Sequence, residues 1–492
     1  MPFTLSNIFA QDTSWSIVTI PFMVTFVVFL AIYLCLIQRH KTVMMAYVVA
    51  FSLFFAWKAS GVLMLLLPAS AIASWLLTEN IRQSKGRERR AWLTVAVIVE
   101  IAPLLYYKYT NFLIDILNDI TQSNFSPLAL ILPVGMSFYT FQTVSYSIDV
   151  YRRRFNLRAT LPEYLFYITF FPLLMAGPIT RAGTLIPQLR DIGRNGSADN
   201  DETLSDTLAY TGLWLIMLGM LKKVLIADYI AQYNDWIFDN PTGYSGFENL
   251  MGVFGYTLQI YCDFSGYSDM SMGLASLMGL RLRENFRSPY QSLNVTEFWH
   301  RWHIALSTWF RDYLYIPLGG NRCGKARTML NNFVTMLVAG LWHGASMMFV
   351  IWGAMHGAAL VVHKLCKSRL DNIEDTWYSR IASWTVTFIF LCTTWVFFRA
   401  DSMDAACAVF RQIGTDFSIS YLVPFVRTRP VWTLIVIAGF ASHAIRQSSI
   451  GTLKEKFISS HWIVKLLIML IVAQLAVNIS QDSVRPFIYA QF

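Results

Sequence analysis

The chain has 492 residues, 55% of them hydrophobic, and its 39 Lys plus Arg against 30 Asp plus Glu give a formal charge of +9 on only 14% charged positions. A soluble domain carries about 25% charged residues, so this composition, with a mean hydropathy of +0.45, excludes a soluble enzyme, a disordered chain and a one-helix anchor. The basic excess fits cytoplasmic loops facing anionic lipid and requires no nucleic-acid partner.

The apolar run from Trp15 to Ile37 is too long for a cleavable signal and has no basic region before it, so it reads as a first, uncleaved span. Apolar stretches near 43–57, 61–78 and 92–107 follow, separated by Arg39-His40-Lys41 and by Arg82, Lys85, Arg87, Arg89 and Arg90. Both basic groups are expected on the cytoplasmic side, which places the N-terminus outside. The next loop, 110–124, carries Asp115 and Asp119, and the run 127–148 ends near Arg152-Arg153-Arg154, so the alternation continues for five spans. The stretch 163–178 closes on Ala176-Gly177-Pro178 and is expected to be re-entrant, because such backbone is tolerated at membrane depth only where protein satisfies it. A polar loop over 181–203 precedes further apolar stretches near 208–230, 247–263, 266–280, 328–349, 350–366, 380–398, 430–446 and 462–480. The expectation is an all-α polytopic bundle, a single membrane-embedded domain over 1–492, with about eleven spans of about 20 residues plus re-entrant helices. Residues 399–429 form its longest late loop.

Three polar groups interrupt this apolar background. The segment 294–316 mixes Glu297, His300, Arg301, His303 and Asp312 with Trp299, Trp302 and Trp309; it cannot face lipid and is expected as a short helix inside the bundle or at its mouth. The stretch Tyr261 to Ser271 holds Asp263 and Asp269 among hydroxyls and is expected as a broken helix or buried polar turn. Either carboxylate would orient a histidine or pair with Arg281, Arg283 or Arg287; a scaffold role is the competing explanation, as for Asp312 and Asn332. A softer stripe from Pro133 to Thr143 would line a polar path or serve helix packing.

Four of the eight histidines, His300, His303, His343 and His356, fall close together. His343 lies in Leu341-Trp342-His343-Gly344, where an imidazole is costly unless it is hydrogen-bonded or lines a polar cavity. His300 and His303, three apart, would share one side of a helix. A metal site with Glu297 or His343 would need three or four placed ligands, and no known ligand spacing is present, so no metal is expected. A histidine near His343 offers a proton acceptor with a second polar group at the acyl carbonyl, with cross-helix structural bonding as the alternative. The six cysteines are scattered with no CxxC pattern, and Cys35, Cys262 and Cys392, in or near spans, read as small apolar fillers.

These segments resemble the membrane-bound O-acyltransferase family and, within it, the bacterial alginate O-acetylation branch. The resemblance rests on Pro133 to Arg154, Gly177-Pro178-Ile179 with Arg181, Tyr261 to Leu280, Asn285 to Gly320 and Leu341 to Gly357, and covers 90–400 strongly. The ending Pro486 to Phe492 also looks like that branch, whereas Phe171 to Gly177 departs from it. The resemblance implies a bundle around a central tunnel, with catalytic positions matching His343 in the LWHG stretch and His303 in the WHIALS stretch. It implies that His343 activates the nucleophile while His303 orients the acyl group or stabilises charge. His300, Asp263, Asp269, Trp302, Trp309, Asp312, Asn332 and Trp342 are supporting or tunnel-lining candidates. The implied reaction moves an acetyl group from a cytoplasmic donor, ultimately acetyl-CoA, to hydroxyls of an exported polysaccharide, with no tightly bound cofactor, a periplasmic acetyltransferase partner and a bacterial inner-membrane location. Peptidoglycan or teichoic-acid acylation by the same fold, and transport without catalysis, are the alternatives.

Overall fold

The computed structural model describes residues 15–37, 40–174, 177–192, 202–370, 372 and 374–479. The terminal motif Pro486 to Phe492 and residues 193–201 of the polar loop expected over 181–203 lie outside the described residues; the first part of that stretch is helical instead, Ala182–Asp191. Every regular element among them is helical. Among the described residues, four helical runs are long and apolar enough to cross a membrane: Lys41–Gln83, Gly86–Thr121, Met347–Ser368 and Trp377–Arg399. The number reaches six if the bent pairs Ile419–Thr428 with Pro430–His443, and Gln447–Ser459 with Trp462–Ala476, each form one span. The expected all-α, multi-pass membrane architecture is therefore present, with shorter and broken helices taking up many of the remaining apolar stretches.

The backbone divides into two units, Met1–Ile216 with Tyr267–Arg283, and Met217–Gly266 with Glu284–Phe492. In the first, Phe171 is fully buried in a short helix, Phe171–Leu174. Its ring meets Phe22, Phe26, Phe29, Phe51 and Phe55 at centroid distances of 5.1 to 6.1 Å. That aromatic socket explains how the stretch expected to be re-entrant is held inside protein: rings bury large apolar areas with defined edge and tilt geometry. The acidic loop expected at 110–124 is instead helical over Thr110–Thr121 and continues the preceding helix through a π-helical turn, Leu105–Tyr109. A second node is polar. Glu100 accepts hydrogen bonds from Ser74 at 2.5 Å and Ser147 at 2.7 Å, and Ser74 also meets the Tyr164 hydroxyl at 2.8 Å. A carboxyl group in a span is tolerated only with such partners.

The second unit carries the histidines. Helices Lys325–His343 and Met347–Leu370 form a tight hairpin. Their contact depends on glycine: a Cβ on Gly353 would stand 2.5 Å from the Met336 carbonyl oxygen, and one on Gly340 would run into the Phe349 carbonyl. Small residues let membrane helices approach this closely. The approach brings His343, the last residue of one helix, against Trp352 on the other.

The segment 294–316 is built from two short helices, Val295–Arg301 and Ile304–Phe310. Asn294 caps the first, its side chain accepting from the Glu297 amide at 2.8 Å. Between the two helices His303 adopts a left-handed conformation, φ 43°, uncommon for a side-chain-bearing residue and a marker of an over-determined site. The stretch from Tyr261 to Ser271 corrects the sequence-based expectation of a break: it lies within one continuous helix, Gly246–Leu277.

Candidate active site

The break at residue 303 separates two histidines that spacing alone would have paired. His300 is exposed, whereas His303 is fully buried. The shared face expected from the three-residue spacing is therefore absent, because the helix ends between them.

His303 is held by Asn285. Its Nδ1 lies 3.0 Å from Asn285 Oδ1, and the same oxygen accepts the Ala305 amide at 3.2 Å. An oxygen accepting from a backbone N–H fixes the orientation of the Asn amide, so Nδ1 of His303 must be the donor. In the neutral ring this leaves Nε2 with the lone pair. Nε2 is buried with no hydrogen-bonding partner among the described residues, and the ring is packed by Phe264 at 4.6 Å and Phe286 at 6.3 Å. The 295–315 segment is not one of the spans; burial there pushes the His303 imidazole down to about 3, so the neutral tautomer prevails at neutral pH.

His343 is buried at the C-terminal end of helix Lys325–His343. The carbonyl end of a helix favours a cation by about 0.3–1 kcal/mol, which suits an imidazole that becomes positive during a reaction. Aromatic rings pack around it, among them Trp342 at 5.0 Å, Trp352 at 5.0 Å and Phe398 at 5.4 Å. Trp342 also lies 6.1 Å from the His303 ring. The two imidazoles expected to act together are thus joined through a single indole.

The supporting candidates separate into groups. Trp342 and the fully buried Trp302 belong to the aromatic surroundings of the histidines; Trp302 packs on Phe286 at 5.1 Å and Trp395 at 5.0 Å. Trp309 is buried against Tyr313 and Phe310. Asp312 pairs with its neighbour Arg311 at 2.9 Å, and Asn332 is half-buried on the His343 helix. Asp263 is buried and paired with Lys223, which also binds Asp228 at 2.7 Å. Lys223, not any of the three arginines considered, is the cation facing Asp263. Asp269 falls in the other unit.

Asn285, Trp352 and His356 also stand at or beside the site, beyond the candidates named from the sequence. Trp352 and His356 are four apart on helix Met347–Leu370, and that Trp-x3-His spacing within an apolar run was the available signal. Asn285 opens the family-like stretch Asn285 to Gly320 but has no role legible in local pattern, since its importance comes from meeting His303 across a loop.

A multi-pass helical protein with two buried imidazoles around a shared indole fits a membrane-embedded acyltransferase, and residues 91–399 match the membrane-bound O-acyltransferase family profile. The chain belongs to that family and is a membrane-bound acyltransferase. Among its relatives, the probable alginate O-acetylase AlgI of Pseudomonas putida is 36% identical over 490 residues, covering 94% of this chain and 97% of that protein. The probable alginate O-acetylase AlgI of Pseudomonas syringae pv. tomato is 39% identical, covering 80% of this chain and 73% of that protein. The peptidoglycan O-acetyltransferase of Helicobacter pylori is 35% identical, covering 70% of this chain and 69% of that protein.

Proposed function

We propose that this acyltransferase is an O-acetyltransferase of the bacterial inner membrane, taking acetyl from a cytoplasmic thioester, ultimately acetyl-CoA, to hydroxyls of an exported polysaccharide such as alginate. This chain itself forms the ester on the sugar hydroxyl, and a periplasmic acetyltransferase partner acts beside it on the exported polymer. The observation that carries the catalytic reading is the His303–Trp342–His343 arrangement, with His303 locked by Asn285 and His343 at a helix C-terminus.

In this reading His343 takes the proton of the acceptor hydroxyl as its oxygen attacks the thioester carbonyl carbon. The carbonyl π pair moves to oxygen, and the pair returns as the carbon–sulfur bond breaks. The proton held on His343 passes to the leaving sulfur, so one imidazole serves as base and then acid. The helix end supports His343 while it is cationic. His303 presents Nε2 as an acceptor and orients a proton-bearing group of the substrate. Charge stabilisation, the other role considered for it, needs an imidazolium, which its burial opposes. Trp302 and Trp342 form dry walls that strengthen these contacts.

The substrate assignment follows the high coverage of the two alginate O-acetylases. Peptidoglycan is the second reading, supported by the Helicobacter relative. Mass analysis of exported glycans from cells with and without the gene separates them. Loss of acetyl esters from a secreted polysaccharide is expected; loss from peptidoglycan alone would replace the acceptor, and unchanged acetylation of both would remove the proposed activity.

A further inference from the structure

One indole away from His343 stands a third imidazole that the mechanism does not use. Trp352 lies 5.0 Å from the His343 ring and 4.7 Å from the His356 ring, so one indole separates His356 from the proposed base. His356 is fully buried, enclosed also by Phe298 at 6.2 Å, Trp299 at 5.2 Å and Phe390 at 5.2 Å. Neither of its nitrogens has a hydrogen-bond partner among the described residues, and the same holds for the buried indole nitrogens of Trp299 and Trp352. Buried polar atoms are nearly always paired, and each exception calls for an explanation. His363, two turns further along the same helix, shows the ordinary solution: its Nδ1 meets the Thr296 hydroxyl at 2.9 Å.

The unpaired atoms define what would satisfy them. A neutral imidazole offers one N–H and one lone pair, and each indole adds one N–H. A carbonyl oxygen only accepts and would leave the imidazole lone pair unanswered; a carboxylate would face that lone pair with negative charge. A hydroxyl both donates and accepts. We propose that His356, with Trp299 and Trp352, forms a hydroxyl-binding niche that holds a second hydroxyl of the acceptor sugar beside the one His343 activates. The inference rests on the proposed O-acetyltransferase reading, and His356 acts in it as a positioning and specificity residue. A trapped water has the same hydrogen-bonding chemistry, and the test below distinguishes the two.

The experiment uses the full-length protein in liposomes with acetyl-CoA as donor, and alginate oligosaccharides with their monodeoxy analogues as acceptors. For the wild type, one analogue lacking a hydroxyl that is not itself acetylated is expected to lose about tenfold or more in kcat/KM, in line with sites built to bind a substrate hydroxyl. His356→Phe keeps a ring of similar size and removes both nitrogens. It is expected to fall by a similar factor on the parent oligosaccharide and no further on that analogue, since enzyme and substrate deletions of one contact do not add. Trp352→Phe, which removes only the indole N–H among hydrogen-bonding groups, should converge in the same way and serves if His356→Phe does not fold. Equal losses on every acceptor would assign the niche to water or packing and overturn the inference. A wild type that acetylates parent and all analogues alike would overturn it alone, whereas a wild type that acetylates none would overturn the proposed function and this inference with it.

Discussion

At His303 the tautomer is set by one oxygen. Asn285 Oδ1 accepts from both the Ala305 amide and the His303 ring, so proton traffic at this imidazole is confined to Nε2. Replacing Asn285 with Leu removes the acceptor while keeping a side chain of similar size. Turnover is expected to fall about tenfold or more, equivalent to ~1.4 kcal/mol of barrier, with a smaller change in KM; steady-state transfer kinetics check this, and wild-type turnover would contradict it. The same logic separates the two neighbouring histidines. His303→Ala should lose about 100-fold or more, the scale of a positioned proton-handling group, while the exposed His300 should tolerate alanine with little loss. Spacing could not have ranked these two residues. The distinction became legible in the sequence only through motif resemblance, and its physical cause is the positive φ at residue 303 that ends the helix between them.

At the level of helices, two contacts place the site. The Lys325–His343 and Met347–Leu370 hairpin depends on Gly353, where a side chain would meet the Met336 carbonyl. Gly353→Leu must push the helices apart or strain them, at a cost of about 1–3 kcal/mol. A lower unfolding temperature in detergent and reduced activity are expected, and an unchanged melting temperature would argue against the close approach. The second contact is the buried Lys223–Asp263 pair. Removing Lys223 alone leaves a buried carboxylate uncompensated, which costs about 3–5 kcal/mol, whereas replacing both members with apolar residues is often neutral. Lys223→Met should therefore destabilise more than Lys223→Met combined with Asp263→Leu, as measured by thermal unfolding. This pair also shows why Tyr261 to Ser271 was expected to break. Its polar residues signalled a conflict with an apolar span, but the partner that resolves the conflict for Asp263 lies 40 positions away, beyond the reach of local pattern. The helical character of 110–121 was hidden for a related reason: acidic residues suggested a loop, yet the preceding helix simply continues through a π turn.

For the molecule as a whole, all-helical membrane architecture was readable from composition and apolar run length, since continuous apolar runs of about 20 residues fit spanning helices, which satisfy their own polar backbone, and not the short alternating strands of a barrel. Sidedness follows from charge. The basic residues from Arg82 to Arg90 should face the cytoplasm; a cysteine introduced at Lys85 should react with an impermeant maleimide in inverted vesicles and not in intact spheroplasts, and the opposite pattern would reverse the orientation. That orientation sets the side from which the acyl donor reaches His343. Transfer in the proposed reaction depends on the His343 imidazole handling the proton of the attacking hydroxyl. The most direct test is acetyl transfer by purified, folded His343→Ala protein in liposomes, measured beside wild type and His300→Ala. His343→Ala should lose about 100-fold or more while His300→Ala stays close to wild type; turnover by His343→Ala equal to wild type would rule out a proton-handling role for this imidazole.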